Sequence, residues 1–232
     1  MAEPHGATLL KAVHVTRILP LEVPVTLVSD ASLEVGAGEF ISITGPSGSG
    51  KSSLLYLLGL LDKPTEGSVF LEGRDTARLS EDQVATLRLE RLGFIFQSHF
   101  LLPEFSAVEN IMLPMRRLGK LPDKKIREKA QTILSDLGLG DHAHKLPRQL
   151  SGGQSQRVAV GRALANDPVL ILADEPTGNL DTVSSAMVQN ILKDLAHTQN
   201  RTVITVTHDM DFAARADRRI HIIDGKISAV PE

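Results

Sequence analysis

A chain of 232 residues with 42% hydrophobic and 23% charged side chains is long enough to bury a core, and its net charge of −3 gives no global pull toward nucleic acid. Aromatic residues make up only 3%, with no Trp and a single Tyr, which removes the stacking surfaces that a single-strand binder uses. The absence of cysteine excludes disulfides and thiolate chemistry and suits a reducing compartment.

The N-terminal stretch carries Glu3 and His5 but no basic cluster ahead of an apolar core, so no signal peptide is expected. Thr8–Arg17 and Val23–Leu33 read as strands, the second rich in β-branched residues, with Leu19–Glu22 as the loop between them. Gly36–Glu39 turns the chain into a third strand, Phe40–Thr44, and Ser52–Leu58 reads as a helix. The longest apolar run, around Leu54–Leu61, falls far short of the ~20 residues that a membrane span needs, so any membrane role is expected to be peripheral. A turn at Lys63–Gly67 leads to a short strand, Ser68–Leu71. Ser80 with Gln83 fits a capping box, opening a helix to about Arg91, and Gly93–Phe96 is a buried strand that ends at Gln97.

From about residue 98 to 165 the pattern is helical. Ser106 with Glu109 forms a second capping box, opening a helix toward Leu118 in which Pro114 is expected to make a kink. Pro122-Asp123 starts another, with Ile126, Ala130, Ile133, Leu134 and Leu137 on one face and Gly138 ending it. Strand–helix alternation resumes at Val169–Ala173, followed by a helix from about Thr182 to Ala196 and a strand at Thr202–Thr207. A short helix after Met210 precedes the strands Arg219–Ile223 and Lys226–Val230. This is an α/β core with a parallel sheet and a helical insertion.

Gly45-Pro46-Ser47-Gly48-Ser49-Gly50-Lys51-Ser52 fits the phosphate-binding loop G-x-x-x-x-G-K-[ST], and it lies between a strand and a helix as that loop must. Its glycines let the backbone curl so that amides face an anion, and the helix N-terminus adds partial positive charge. Lys51 is placed to reach the β- and γ-phosphates, and the Ser52 hydroxyl to ligate Mg²⁺. Val169–Glu175 is an apolar run ending in two carboxylates, as a strand buried on both faces reads. Asp174 would hold Mg²⁺ through water, and Glu175 would polarise a water for attack on the γ-phosphorus. In Leu150-Ser151-Gly152-Gly153-Gln154, Ser151 is a good N-cap, and the two glycines leave first-turn amides uncovered for a second anion site.

In this order the chain resembles the ATP-binding cassette ATPases, over essentially its whole length: phosphate loop, Gln97, Leu150–Gln154, Asp174-Glu175, Asn179-Leu180-Asp181 and His208. The resemblance implies one ATP-binding domain over residues 1–232, built from a phosphate-loop core with a parallel sheet, an N-terminal antiparallel part and a helical sub-domain inserted at 98–165. It implies MgATP as ligand, with Ser53 keeping a hydroxyl where the family commonly has threonine. It gives Gln97 the sensing of Mg²⁺ and of the attacking water, and His208 a hydrogen bond to the γ-phosphate. Ser151 and Gly153, within Ser151–Gln154, would contact the γ-phosphate held by the opposite subunit of a homodimer, and Asp181 would cross the interface. Asp174–Asp181 together with His99–Asn110 is similar to the bacterial lipoprotein-release and macrolide-export branch, and within it to YbbA-type ATPases. That implies pairing with an integral membrane permease of the FtsX or MacB type. The subunit would then sit in the cytoplasm, peripheral to the inner membrane, touching it only through the permease and binding no nucleic acid.

Two alternatives come with the resemblance. A regulatory ATPase would gate a periplasmic activity through an FtsX-like partner without moving a substrate. A soluble cassette for DNA repair or translation would normally carry a long coiled-coil insertion, a zinc site or two cassettes in one chain. There are departures as well. The family's adenine-stacking aromatic is replaced by Ile18, and Gly161 stands where alanine is usual, at a cost in helix propensity of up to ~1 kcal/mol. His142 and His144 have no apparent third ligand and read as a solvated loop. The basic run Arg116, Arg117, Lys120, Lys124, Lys125, Arg127 and Lys129 reads as a solvated helical face.

Overall fold

The computed structural model describes residues 7–228. The chain begins with strands β1 (Thr8–Leu19), β2 (Val25–Gly36) and β3 (Phe40–Thr44), then helix α1 (Lys51–Leu58) and strands β4 (Glu66–Leu71) and β5 (Arg74–Asp75). Helix α2 (Glu81–Arg91), strand β6 (Leu92–Phe96) and helices α3 (Ala107–Leu118), α4 (Asp123–Asp136) and α5 (Gly152–Leu164) follow. The chain continues with β7 (Leu170–Asp174), α6 (Thr182–His197), β8 (Thr202–Val206), α7 (Met210–Ala213), β9 (Arg218–Ile223) and β10 (Lys226–Ser228). Ala229 and Val230, the expected end of β10, and the stretch with Glu3 and His5 lie outside the described residues.

Two compact units result, one formed by the chain up to Ala85 together with the chain from Lys193 on, the other by Thr86–Leu192. In the first, β1 pairs antiparallel with β2 and β4, and β5 pairs antiparallel with β4. Strand β3 lies parallel between β8 and β9, with β10 antiparallel on β9. Every residue of β3 and β8 is buried, which is why both read as unbroken apolar and β-branched runs. Strand β2 starts at Val25 rather than at Val23 because Pro24 has no amide to give to the ladder.

In the second unit β6 and β7 pair in parallel. Helices α3, α4 and α5 enclose a core that includes Ile111, Met112, Met115, Ile126, Leu134 and Val158. The buried face of α4 is the expected one, and Gly138 takes the left-handed conformation (φ 68°) that ends it. Both expected capping boxes form: the Ser80 amide donates to Gln83 Oε1 (2.8 Å) and the Ser106 amide to Glu109 Oε2 (2.8 Å). The Ser106 hydroxyl, and then its amide, hold the Glu109 carboxyl below the usual carboxylate range. Helix α3 runs through Pro114 without a break. His142 differs from expectation: it ends a 3₁₀ turn, Gly140–His142, half-buried with its Nδ1 buried, rather than lying in a solvated loop.

Gly161 also differs. A Cβ added there would lie 2.8 Å from Ile111 Cδ1 and 3.1 Å from both Ile133 Cγ2 and Leu137 Cδ1. The glycine is what lets α3, α4 and α5 close together, so its poor helix propensity is offset by packing. Gly161→Ala would gain up to ~1 kcal/mol of propensity and lose about 1–3 kcal/mol to overpacking. The expected outcome is a net loss near 1 kcal/mol, read as a lowered denaturant midpoint with an unchanged slope; a stabilised variant would show that the three side chains give way freely.

Candidate functional site

In the first unit β3 delivers the chain into the loop Gly45–Gly50, and two glycines there are indispensable. Gly45 has φ 145° and Gly50 φ 100°, and a Cβ on them would fall 2.1 Å from the Ile222 carbonyl oxygen and 2.2 Å from that of Leu27. The tip, Pro46–Gly48, is exposed, while Lys51 is buried to 8% exposure and donates to the carbonyls of Gly45 (3.0 Å) and Pro46 (2.7 Å). Helix α1 has no side-chain cap and no acidic residue in its first turn, unlike α2 and α3. Ser52 and Ser53 open it, half-buried. Ile43 pairs with Val206, so the loop after β3 and His208 beyond β8 leave the same end of neighbouring parallel strands. His208 is exposed there.

In the second unit the pairing of Phe96 with Asp174 sets the next residues, Gln97 and Glu175, at adjacent strand ends. Asp174 and Glu175 are half-buried. Glu175 is held at φ 46°, a left-handed conformation that a non-glycine residue adopts only when its surroundings impose it. A turn closes behind it, the Gly178 amide donating to the Glu175 carbonyl at 3.1 Å. Gln97 Nε2 donates to Asn179 Oδ1 (3.1 Å), and a Cβ at Gly178 would lie 2.8 Å from the same Nε2.

The N-terminus of α5 carries a third capping box: the Gln154 amide donates to Ser151 Oγ (3.2 Å) and the Ser151 amide to Gln154 Oε1 (2.9 Å). One of the first-turn amides expected to be uncovered is therefore satisfied within the chain, leaving those of Gly152 and Gly153 without a side-chain cap. Accepting from Gln154 leaves the Ser151 hydroxyl proton available to an anion. A Cβ at Gly153 would lie 2.2 Å from Ser184 Oγ, so this glycine also lets α5 pack against the start of α6. Asp181 caps α6: its Oδ1 accepts from the amides of Val183 and Ser184 (both 3.0 Å), and its Oδ2 from the Ser184 hydroxyl (2.6 Å). That hydroxyl, followed by the Ser184 and Val183 amides, holds its carboxyl below the usual range.

The first unit thus gathers Gly45–Ser53 and His208; the second gathers Gln97, Asp174, Glu175, Ser151–Gln154 and Asp181. The first set fits a polyphosphate. Ser49 Oγ is buried with no partner, inside a loop whose helix offers uncapped amides beside a buried ammonium. Among the described residues no group of three or more His, Cys, Asp or Glu side chains could hold a metal. Ser52 in the first unit and Asp174 in the second are each of a ligand type that Mg²⁺ commonly takes alongside substrate phosphate oxygens, a hydroxyl and a carboxylate.

Sequence reasoning missed the buried Gln156 on α5, which binds the Phe96 and Pro176 carbonyls and His99. Its one signal was a long amide beside the apolar run Val158-Ala159-Val160.

Comparison with known proteins follows the same lines. Residues 28–178 match the family described as ABC transporter. The lipoprotein-releasing system ATP-binding protein LolD 1 of Chlorobium chlorochromatii is 48% identical, over 95% of this chain and 91% of that protein. The macrolide export ATP-binding/permease protein MacB of Bartonella henselae is 48% identical over 88% of this chain, which spans only 31% of MacB. Among solved structures, the dimeric post-hydrolysis state of the ATP-binding cassette MJ0796, bound to ADP and Pi, matches with TM-score 0.88 and 39% identity, over 95% of this chain and 97% of that one. No helix of the described residues is long and apolar enough to cross a membrane. With its phosphate loop, its paired strand-end acids and these relatives, the chain belongs to the ABC transporter family, as an ATP-hydrolysing cassette.

Proposed function

We propose that this chain powers a permease of the FtsX or MacB type from the cytoplasmic face of the inner membrane, in extraction or export, as one of two identical cassettes that sandwich two MgATP. The anion cradle carries this reading: a buried lysine, an orphaned buried hydroxyl and an uncapped, acid-free helix start in one loop. Relatives named for lipoprotein release and macrolide export favour driving a substrate over merely gating a periplasmic activity.

Lys51 and the loop amides hold the β- and γ-phosphates, with Ser52, Asp174 and Gln97 around Mg²⁺, which when bound offsets the charge on their oxygens. Glu175 accepts the proton of the water that attacks the γ-phosphorus, releasing ADP and phosphate. His208 donates to a γ-phosphate oxygen, and Ser151 and Gly153 of the partner subunit close the site, with Asp181 at the interface. The helical segment 98–165 serves as the arm through which the permease is driven.

Tagged chain recovered from detergent-solubilised membranes is expected to bring down a permease of four membrane helices with a large periplasmic domain. Recovery only as free protein, with no membrane partner after crosslinking, would reject the coupling.

Base recognition is expected to be loose. On β1, half-buried Ile18 pairs with Thr26, beside the exposed Leu21 and Val23. An aliphatic side chain offers no π-face, and stacking on an aromatic adds about 1–3 kcal/mol, with 1.4 kcal/mol per decade of affinity. GTP should compete with ATP within about tenfold, and Ile18→Tyr should tighten ATP. A hundredfold preference for ATP in competitive titrations means that another residue reads adenine.

A further inference from the structure

One side chain in the second unit spends both of its amide protons on the backbone that frames the expected catalytic residues. Gln156, fully buried on α5, donates from Nε2 to the Pro176 carbonyl (2.7 Å) and to the Phe96 carbonyl (3.1 Å). Pro176 follows Glu175 directly, and Phe96 directly precedes Gln97. With Nε2 committed to two carbonyls, Oε1 must accept, and its partner is His99 Nδ1 at 2.6 Å, which fixes the proton of that imidazole on Nδ1. Further along the same helix, Arg162 donates to the carbonyls of His99 (2.8 Å) and Phe100 (2.6 Å). Helix α5 therefore grips the Phe96–Phe100 segment through four hydrogen bonds and the loop after Glu175 through a fifth.

The chemistry admits few substitutes. Glutamate would turn a carboxylate toward two carbonyl oxygens, asparagine falls one methylene short, and leucine would strand both carbonyls and the His99 N–H. Helix α5 starts from its cap Ser151 and the glycines Gly152 and Gly153, the segment that in the sandwich reading touches the nucleotide held by the partner subunit.

We propose that Gln156 is a positioning residue: it sets Gln97 and Glu175 through their flanking backbone and ties them to the helix whose start faces the other nucleotide. This rests on the sandwich reading above for the identity of the two sites. The clamp itself does not. Occupancy of one ATP site thereby reaches the hydrolytic groups of the other through α5, by way of a side chain that touches neither nucleotide.

The test compares the parent with Gln156→Leu and with His99→Ala, which removes one leg of the clamp only. Amide hydrogen exchange on the nucleotide-free chain is expected to rise at least tenfold at residues 96–100 and 176–180 in Gln156→Leu, with α3 and α4 unchanged. Turnover at saturating MgATP should fall at least tenfold with KM within threefold of the parent, and His99→Ala should show both effects at about threefold. Two results overturn the proposal: exchange that rises evenly across α3, α4 and α5, which marks a purely structural residue, or turnover within twofold of the parent in both variants. Should Gln156→Leu not fold, His99→Ala decides by the same two measurements. A parent chain that hydrolyses no MgATP rejects the hydrolase reading by itself, and the exchange pattern then still decides whether the clamp exists.

Discussion

Replacing Glu175 by Gln is expected to leave MgATP binding intact and to cut steady-state turnover by about 10²–10⁴-fold, the usual contribution of a positioned general base. The substitution exchanges one carboxylate oxygen for an NH2 group and keeps the shape of the side chain. It removes the proton acceptor but keeps the half-buried environment beside Asp174 and the left-handed backbone (φ 46°) that aims the side chain. Glutamine is no easier to hold at that φ than glutamate, so the strain is conserved and the loss is chemical. Blocked hydrolysis should also trap a nucleotide-loaded dimer, visible by size-exclusion chromatography in ATP but not in ADP. Phosphate release within a few-fold of the parent would take the base's role away from Glu175.

Lys51→Ala should act on the other half of the reaction, binding. The lysine is buried to 8% exposure and spends its donors on the carbonyls of Gly45 and Pro46, so its ammonium is held where the loop curls. A charge-assisted hydrogen bond is worth about 1.5–3 kcal/mol, which corresponds to an affinity loss of roughly ten- to a hundredfold for MgATP. The carbonyls it leaves lie beside an exposed loop tip that water reaches, and alanine is a good helix former at the first position of α1, so folding should be nearly unaffected. Titration with a fluorescent ATP analogue reads the change. Unaltered affinity in a folded Lys51→Ala chain would mean that the phosphates do not sit in this loop.

Much of this architecture was legible because its signals are local. The loop Gly45–Ser52 needs its glycines within a few residues of one another, and the buried strands β3 and β8 announce themselves as unbroken apolar runs. The caps at Ser80 and Ser106 are set by residues three apart. What escaped depends on partners distant in sequence. Gln156 meets Phe96 and Pro176 only once α5 lies against the ends of β6 and β7, and Gly161 looks like a weak helix residue until Ile111 and Ile133 close on it. Asp181, read only as an interface residue, is also the cap of α6, a role its spacing to Ser184 could have disclosed. Strand β5, two residues long, is too short to show any period, and the left-handed backbone at Glu175 leaves no compositional trace.

The central claim is that ATP is hydrolysed at sites completed by a second copy of the chain. It is tested most directly by phosphate release at saturating MgATP over a dilution series of the protein, with sedimentation run in parallel to find where monomer prevails. Specific activity is predicted to climb with protein concentration and level off where the dimer forms. A specific activity that stays at its full value through dilutions where only monomer sediments would contradict the account.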